Sequence, residues 1–247
     1  MPNLEPILIL GDVHRPYHDK RAWGLVLQAG AIVAPAHIWL MGDFLDCYSV
    51  SDHSKDPRRE RSLVKEIADA KIGLDQLDAL GATSKVFLEG NHEDRLRRYL
   101  ERQAPELFEA IDLPSLLGLE ERGWSWLPYK RAKRVGKVHL THDIGVAGRY
   151  AAYRALDAFQ HTVLSGHTHR FAYVVEGNAV GEQKLSASFG HLSDLRKVDY
   201  MHQVNAMRNW ALGFGIGYLD PSSGIVYLTP VPIVKYTCVI NGQLLKG

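Results

Sequence analysis

The chain has 247 residues, 46% of them hydrophobic and 23% charged, with a formal net charge of +1. A profile of this kind belongs to a globular protein large enough to bury an extensive core, and it excludes a disordered or fibrous chain. Near-balanced charge also excludes a globally basic polyanion binder, so any basic surface must be local.

Ile7-Leu8-Ile9-Leu10 is a short apolar run ended by Gly11, as expected of a central strand buried on both faces. Asp12-Val13-His14 follows, two ligand-type side chains at i and i+2. A helix is predicted over 19–34, with Asp19 as N-cap, Trp23, Val26, Leu27, Gly30 and Ala31 on one face, and Pro35 as its stop. His37 to Met41 reads as the second strand and leads into Gly42-Asp43-Phe44-Leu45-Asp46.

Residues 47–61 have no apolar period and carry His53, Lys55, Arg58, Arg59 and Arg61, which predicts a basic loop over the site. From 62 to 80, Leu63, Ile67, Ala70, Leu74 and Leu77 keep helical spacing and Gly81 supplies the C-cap. Lys85 to Leu88 is the third strand, running into Glu89-Gly90-Asn91-His92-Glu93 and a basic helix over 93–103 that Pro105 closes. A short helical piece is predicted within 107–119.

Beyond Trp124 strands dominate. A tight hairpin turns at Gly136, and Val138-His139-Leu140 delivers Thr141-His142-Asp143. A helix over 149–159 precedes the strand Thr162 to Ser165, which ends in Gly166-His167-Thr168-His169. A second hairpin spans 170–188. Strands are expected at 210–219, 225–228 and 231–240, either closing a second sheet or pairing with another copy in a homodimer. The alternating first half and strand-rich second half carry no repeat or linker, so a single domain over 1–247 is expected.

Five strand ends thus present carboxylate, amide or imidazole groups: Asp12 and His14, Asp43 and Asp46, Asn91 and His92, His142, and His167 and His169. Each block alone is an ordinary turn or cap. Together they point to one crevice, because ligands at the carboxyl ends of strands in open α/β sheets converge.

In order and spacing these blocks resemble the signature of calcineurin-like metallophosphoesterases, from residue 7 to residue 169, with the texture of the small enzymes carried by phages and bacteria. The resemblance implies a four-layer α/β/β/α sandwich of two facing mixed sheets. It implies that Asp12, His14 and His169 hold one divalent ion, that Asn91, His142 and His167 hold a second, and that Asp43 bridges them. Mixed oxygen and imidazole donors suit manganese first, with iron, zinc or nickel as alternatives, and the lack of cysteine in the set argues against structural zinc. Two such ions about 3.5–4 Å apart would hold a hydroxide for attack on phosphorus. His92, oriented by Asp46, would then protonate the leaving oxygen. Phosphoprotein phosphatases of this superfamily carry Arg directly after the second block. Here Cys47 stands there, which argues against a protein phosphatase.

Basic stretches at 55–61, 95–102 and 130–137 would draw an anionic substrate, with Arg58, Arg59 and Arg95 as candidate substrate contacts. Tyr48, Tyr99, Trp124 and Trp126 are candidate stacking groups for bases. The expected activity is a phosphodiesterase on a nucleotide or nucleic-acid-like ester. A phosphomonoesterase on small metabolites and a non-catalytic metal-binding module are the alternatives. Cys47 and Cys238 sit in no redox spacing, and the first residues lack a signal-peptide pattern. The apolar stretch over 29–41 is too short to span a bilayer. A cytoplasmic protein without a membrane anchor is expected.

Overall fold

The computed structural model describes residues 4–59, 62–198 and 209–247. Arg61 of the predicted basic loop lies outside the described residues.

Four strands, β1 (Glu5–Leu10), β2 (His37–Leu40), β3 (Ser84–Leu88) and β4 (Trp124–Leu127), run parallel in that order. Their side chains alternate between faces. On β1, Leu8 and Leu10 join the cluster containing Ala22, Leu25, Val26 and Ala29 of α1 (Lys20–Val33) and Leu74 and Leu77 of α2 (Leu63–Asp78). Ile7 and Ile9 point the other way, to a second cluster with Leu140, Leu164 and Phe189. Burial on both faces is why this strand reads as an unbroken apolar run. Asp19 caps α1 by accepting from the backbone N–H groups of Arg21 and Ala22, and Ser62 caps α2 through Lys65.

The second cluster is the seam between two facing sheets. The second sheet takes the order β5 (Ala132–Val135), β6 (Val138–Thr141), β7 (Thr162–Ser165), β9 (Gln183–Phe189) and β8 (Phe171–Gly177), with parallel pairs at β6/β7 and β7/β9. Helix α5 (Ala151–Phe159) packs on its outer face. Helices, sheet, sheet and helix make the four layers expected.

The C-terminal third departs from expectation. β10 (Gly213–Leu219) and β11 (Val226–Pro232) extend the first sheet, β10 antiparallel to β1, and do not close the second. The last predicted strand shortens to β12 (Thr237–Ile240), which pairs with β13 (Gln243–Lys246) in a hairpin against α1. The helical piece predicted within 107–119 narrows to α4 (Leu113–Leu117). Helix α3 (Asp94–Gln103) stands where β3 ends. No helix among the described residues is long and apolar enough to cross a membrane.

Candidate metal centre

The loops after β1, β2, β3, β6 and β7 converge. Ligand atoms of Asp12, His14, Asp43 and His169 lie within 4.8 Å of one another, as do those of Asp43, His142 and His167. In the first group His14 Nε2 is 3.1 Å from His169 Nε2, and Asp12 Oδ1 is 3.2 Å from the same nitrogen. In the second, Asn91 Oδ1 lies 3.0 Å from His142 Nε2 and 2.8 Å from His167 Nδ1. Asp43 belongs to both: its Oδ2 is 3.3 Å from His142 Nε2 and 3.9 Å from His14 Nε2. All seven side chains expected as ligands are therefore brought together in one cluster around Asp43.

Tight turns aim them. Asp12, His14, Asp43, His167 and His169 all have positive φ, a conformation that costs a non-glycine residue about 1–3 kcal/mol. Such strain persists only where the surroundings enforce it. Motif glycines are part of that enforcement. A Cβ on Gly90 would sit 2.1 Å from Asp43 Oδ1, and one on Gly42 would sit 2.3 Å from His142 Nδ1.

Glu93 holds the loops from beneath. Fully buried, it accepts from the backbone N–H groups of Asp43 (2.9 Å), Gly90 (2.8 Å) and Leu45 (2.7 Å). Burial, helped by the nearby Asp43 charge, pushes its carboxyl up to about 8 against the pull of those bonds. Its position after Asn91 and His92 gives no sign of this task, since two of the three amides, those of Asp43 and Leu45, come from the distant loop after β2.

The donor set fits a divalent metal pair on the structure's own terms. Among the described residues buried Asp12 Oδ2 and His169 Nδ1 have no hydrogen-bond partner, and the facing imidazole nitrogens of His14 and His169 leave at most one proton between them. Despite desolvation, Asp43 is held well below the usual carboxylate range by His142 and His92. Burial alone would depress His142, yet Asp43 carries it up to about 10. Protons on these imidazoles occupy the places where cations would bind, so metal uptake would release them.

Asp46 lies beside both His14 and His92, with Oδ2 3.3 Å and 3.4 Å from their Nδ1 atoms. Arg95 is buried as well and donates to Asp46 O (2.8 Å), Asp46 Oδ1 (3.1 Å) and His92 Nε2 (3.1 Å). Because a guanidinium only donates, His92 Nε2 accepts, and Nδ1 carries the proton toward Asp46 O at 3.2 Å. Desolvation keeps this ring neutral, with its pKa lowered to about 4.

The three arginines expected to contact substrate all have partners within the protein. Arg95 faces inward, as described. Arg58 is exposed and pairs with Asp56 of its own loop. Arg59 lies over the Tyr17 and Tyr48 rings at 4.9 and 5.2 Å and donates to Lys197 O. Of the candidate stacking groups, Trp124 is buried in the core against Phe87, and Tyr48 is buried with its hydroxyl bonded to Asp56 N. Tyr99 and Trp126 are exposed. Two further groups flank the first ligand set: His191, fully buried and stacked on His169 at 5.2 Å, and Trp210, 4.1 Å from the His169 ring. Nothing in the pattern around residue 191 announced this, because the contact runs between separate loops.

Comparison with known proteins agrees with the geometry. The chain is 28% identical over 255 residues to the Gene 54 protein of Mycobacterium phage D29, covering 96% of this chain and 97% of that one. With the Gene 54 protein of phage L5 it shares 25% identity over 268 residues, at the same coverage. The fold resembles that of Vacuolar Protein Sorting 29 from Cryptosporidium parvum, with a TM-score of 0.50 and 15% identity, covering 98% of this chain and 95% of that one. A family model described as calcineurin-like phosphoesterase matches residues 5–171, two-thirds of the chain and every residue of the seven-ligand cluster, and the protein belongs to that family.

Proposed function

We propose that the protein is a metal-dependent phosphodiesterase acting on a nucleotide or nucleic-acid-like ester. The observation that carries this is the pair of ligand sets joined by Asp43, with His92, Asp46 and Arg95 against one side of it. Asp12, His14 and His169 would hold one ion, and Asn91, His142 and His167 the other. Manganese is the favoured metal for these oxygen and imidazole donors. Bound there, a divalent pair supplies Lewis-acid stabilisation of the phosphoryl oxygens and activation of water.

The preference for a diester rests on charge. Position 47 is a fully buried cysteine, so no arginine projects from the second block. The guanidinium that does reach the site, Arg95, is matched by the Asp46 carboxylate. Among the described residues a monoester dianion would find no uncompensated arginine in that corner, whereas a diester brings a single negative charge. Hydrolysis of bis-p-nitrophenyl phosphate should exceed that of p-nitrophenyl phosphate with Mn²⁺. A strong monoester preference would overturn the assignment in favour of a phosphomonoesterase.

His92 is assigned to the leaving group. Its Nε2 lies 3.9 Å from Asp43 Oδ2, on the metal side of the ring, and is covered by Arg95. An anionic substrate oxygen beside Asp43 competes for the Arg95 N–H and favours protonation of that nitrogen, which turns the ring from acceptor into donor. His92→Ala should therefore slow diesters with alkoxide leaving groups about 10²-fold or more and p-nitrophenyl esters far less. Equal losses on both would refute the acid role.

A further inference from the structure

Behind the Gly166-His167-Thr168-His169 turn lies a cavity of about 350 Å³ that the catalytic reading leaves unused. Its polar lining comprises Arg149, Ser165, Thr168, Arg170, Ser188 and Asn209, with the first turn of α5 as one wall. The volume is within the usual range for small-ligand sites. Its charge is one-sided: among the described residues two guanidiniums line it and no carboxylate does.

Among the described residues neither arginine has a carboxylate partner. Arg149 is exposed, and Arg170 is tethered through one terminal nitrogen to Ala147 O while its Nε is buried without a partner. A buried cationic donor left unpaired is costly, and the deficit disappears when an acceptor enters. Ser188 spends its hydroxyl proton on Arg170 O at 2.8 Å, and the Thr168 hydroxyl, 3.5 Å from Ser188 Oγ, is the further donor.

Position ties the cavity to the metal centre. His167 and His169 reach toward the ligand sets, while Thr168 between them lines the cavity, so one three-residue turn separates the two. We propose that this cavity is a second anion subsite, which takes a phosphate group of the substrate neighbouring the diester that is cut. The proposal rests on the phosphodiesterase reading and narrows it to substrates with more than one phosphate.

The test compares thymidylyl-thymidine with the same dinucleotide bearing a terminal phosphate at its 5′ or its 3′ end, with Mn²⁺. One phosphorylated form should be preferred about tenfold in kcat/KM, the scale of one charge-assisted hydrogen bond. The double variant Arg149→Gln, Arg170→Gln should bring that ratio to about one. Arg170 also tethers a loop, so Arg149→Glu, at an exposed side chain, gives an independent reading and should lower the ratio by itself. A wild-type ratio of one for both ends, or a ratio that survives these changes, overturns the subsite. If no dinucleotide is hydrolysed, the phosphodiesterase reading fails separately, and calorimetric titration of metal-free protein with inorganic pyrophosphate decides the subsite. Binding that the double variant abolishes supports it; absent or unaltered binding overturns it.

Discussion

Replacing Asp43 by alanine is expected to remove at least one of two bound divalent ions and to lower diesterase activity by about 10³-fold or more. The magnitude is that of losing a preorganised group that neutralises transition-state charge. Asp43 is the one carboxylate common to both ligand sets, and its two oxygens have different tasks. Oδ2 lies 3.3 Å from His142 Nε2 and 3.9 Å from His14 Nε2, while Oδ1 accepts from His92 N at 2.9 Å. Alanine leaves His142 without the partner that sustains its charge, and it frees the turn that presents His92. Asparagine keeps the Oδ1 bond that holds the His92 turn but puts a donor-only amide nitrogen in place of Oδ2, so Asp43→Asn should preserve the turn and still lose metal as Asp43→Ala does. Elemental analysis after gel filtration measures the stoichiometry directly. Two ions retained by the alanine variant would show that Asp43 does not bridge.

Glu93 should have the largest effect on stability of any residue near the site that touches no metal. Glu93→Ala strands the N–H groups of Asp43, Gly90 and Leu45 in a fully buried place. At about 1–3 kcal/mol for each orphaned donor, partly relieved by water entering the gap, a loss of about 3–5 kcal/mol is expected in urea unfolding. Glu93→Gln keeps the shape and one acceptor oxygen. The amide nitrogen that replaces the second oxygen then confronts backbone donors, so an intermediate loss follows. Variants within about 0.5 kcal/mol of wild type, the range of ordinary surface changes, would contradict this role.

Much of the centre was legible in the sequence because its ligands carry their chemistry in their own side chains and stand at the ends of apolar runs. Asp12, Asp43, Asn91, His142 and His167 each follow a strand that periodicity alone identifies, and parallel strands must end on the same side. What stayed hidden depends on pairing between distant segments. Nothing local tells β10 to join β1 instead of closing the second sheet, since an antiparallel edge strand alternates in the same way in either place. By sequence Arg95 is a basic helix residue and a candidate substrate contact. Its inward turn exists only because Asp46, 49 positions earlier, arrives within 3.1 Å. Glu93 is visible as part of a motif, but two of its amide partners, Asp43 and Leu45, belong to a loop that meets it only in the folded chain. The cavity between Arg149 and Arg170 likewise needs the turn after β7 and the start of α5 to be brought together.

The measurement that bears most directly on this account is anomalous diffraction from crystals grown with Mn²⁺. Two peaks should flank Asp43, one against Asp12, His14 and His169 and the other against Asn91, His142 and His167. A single peak, or peaks away from these seven side chains, would contradict the bridged pair on which the proposed chemistry depends.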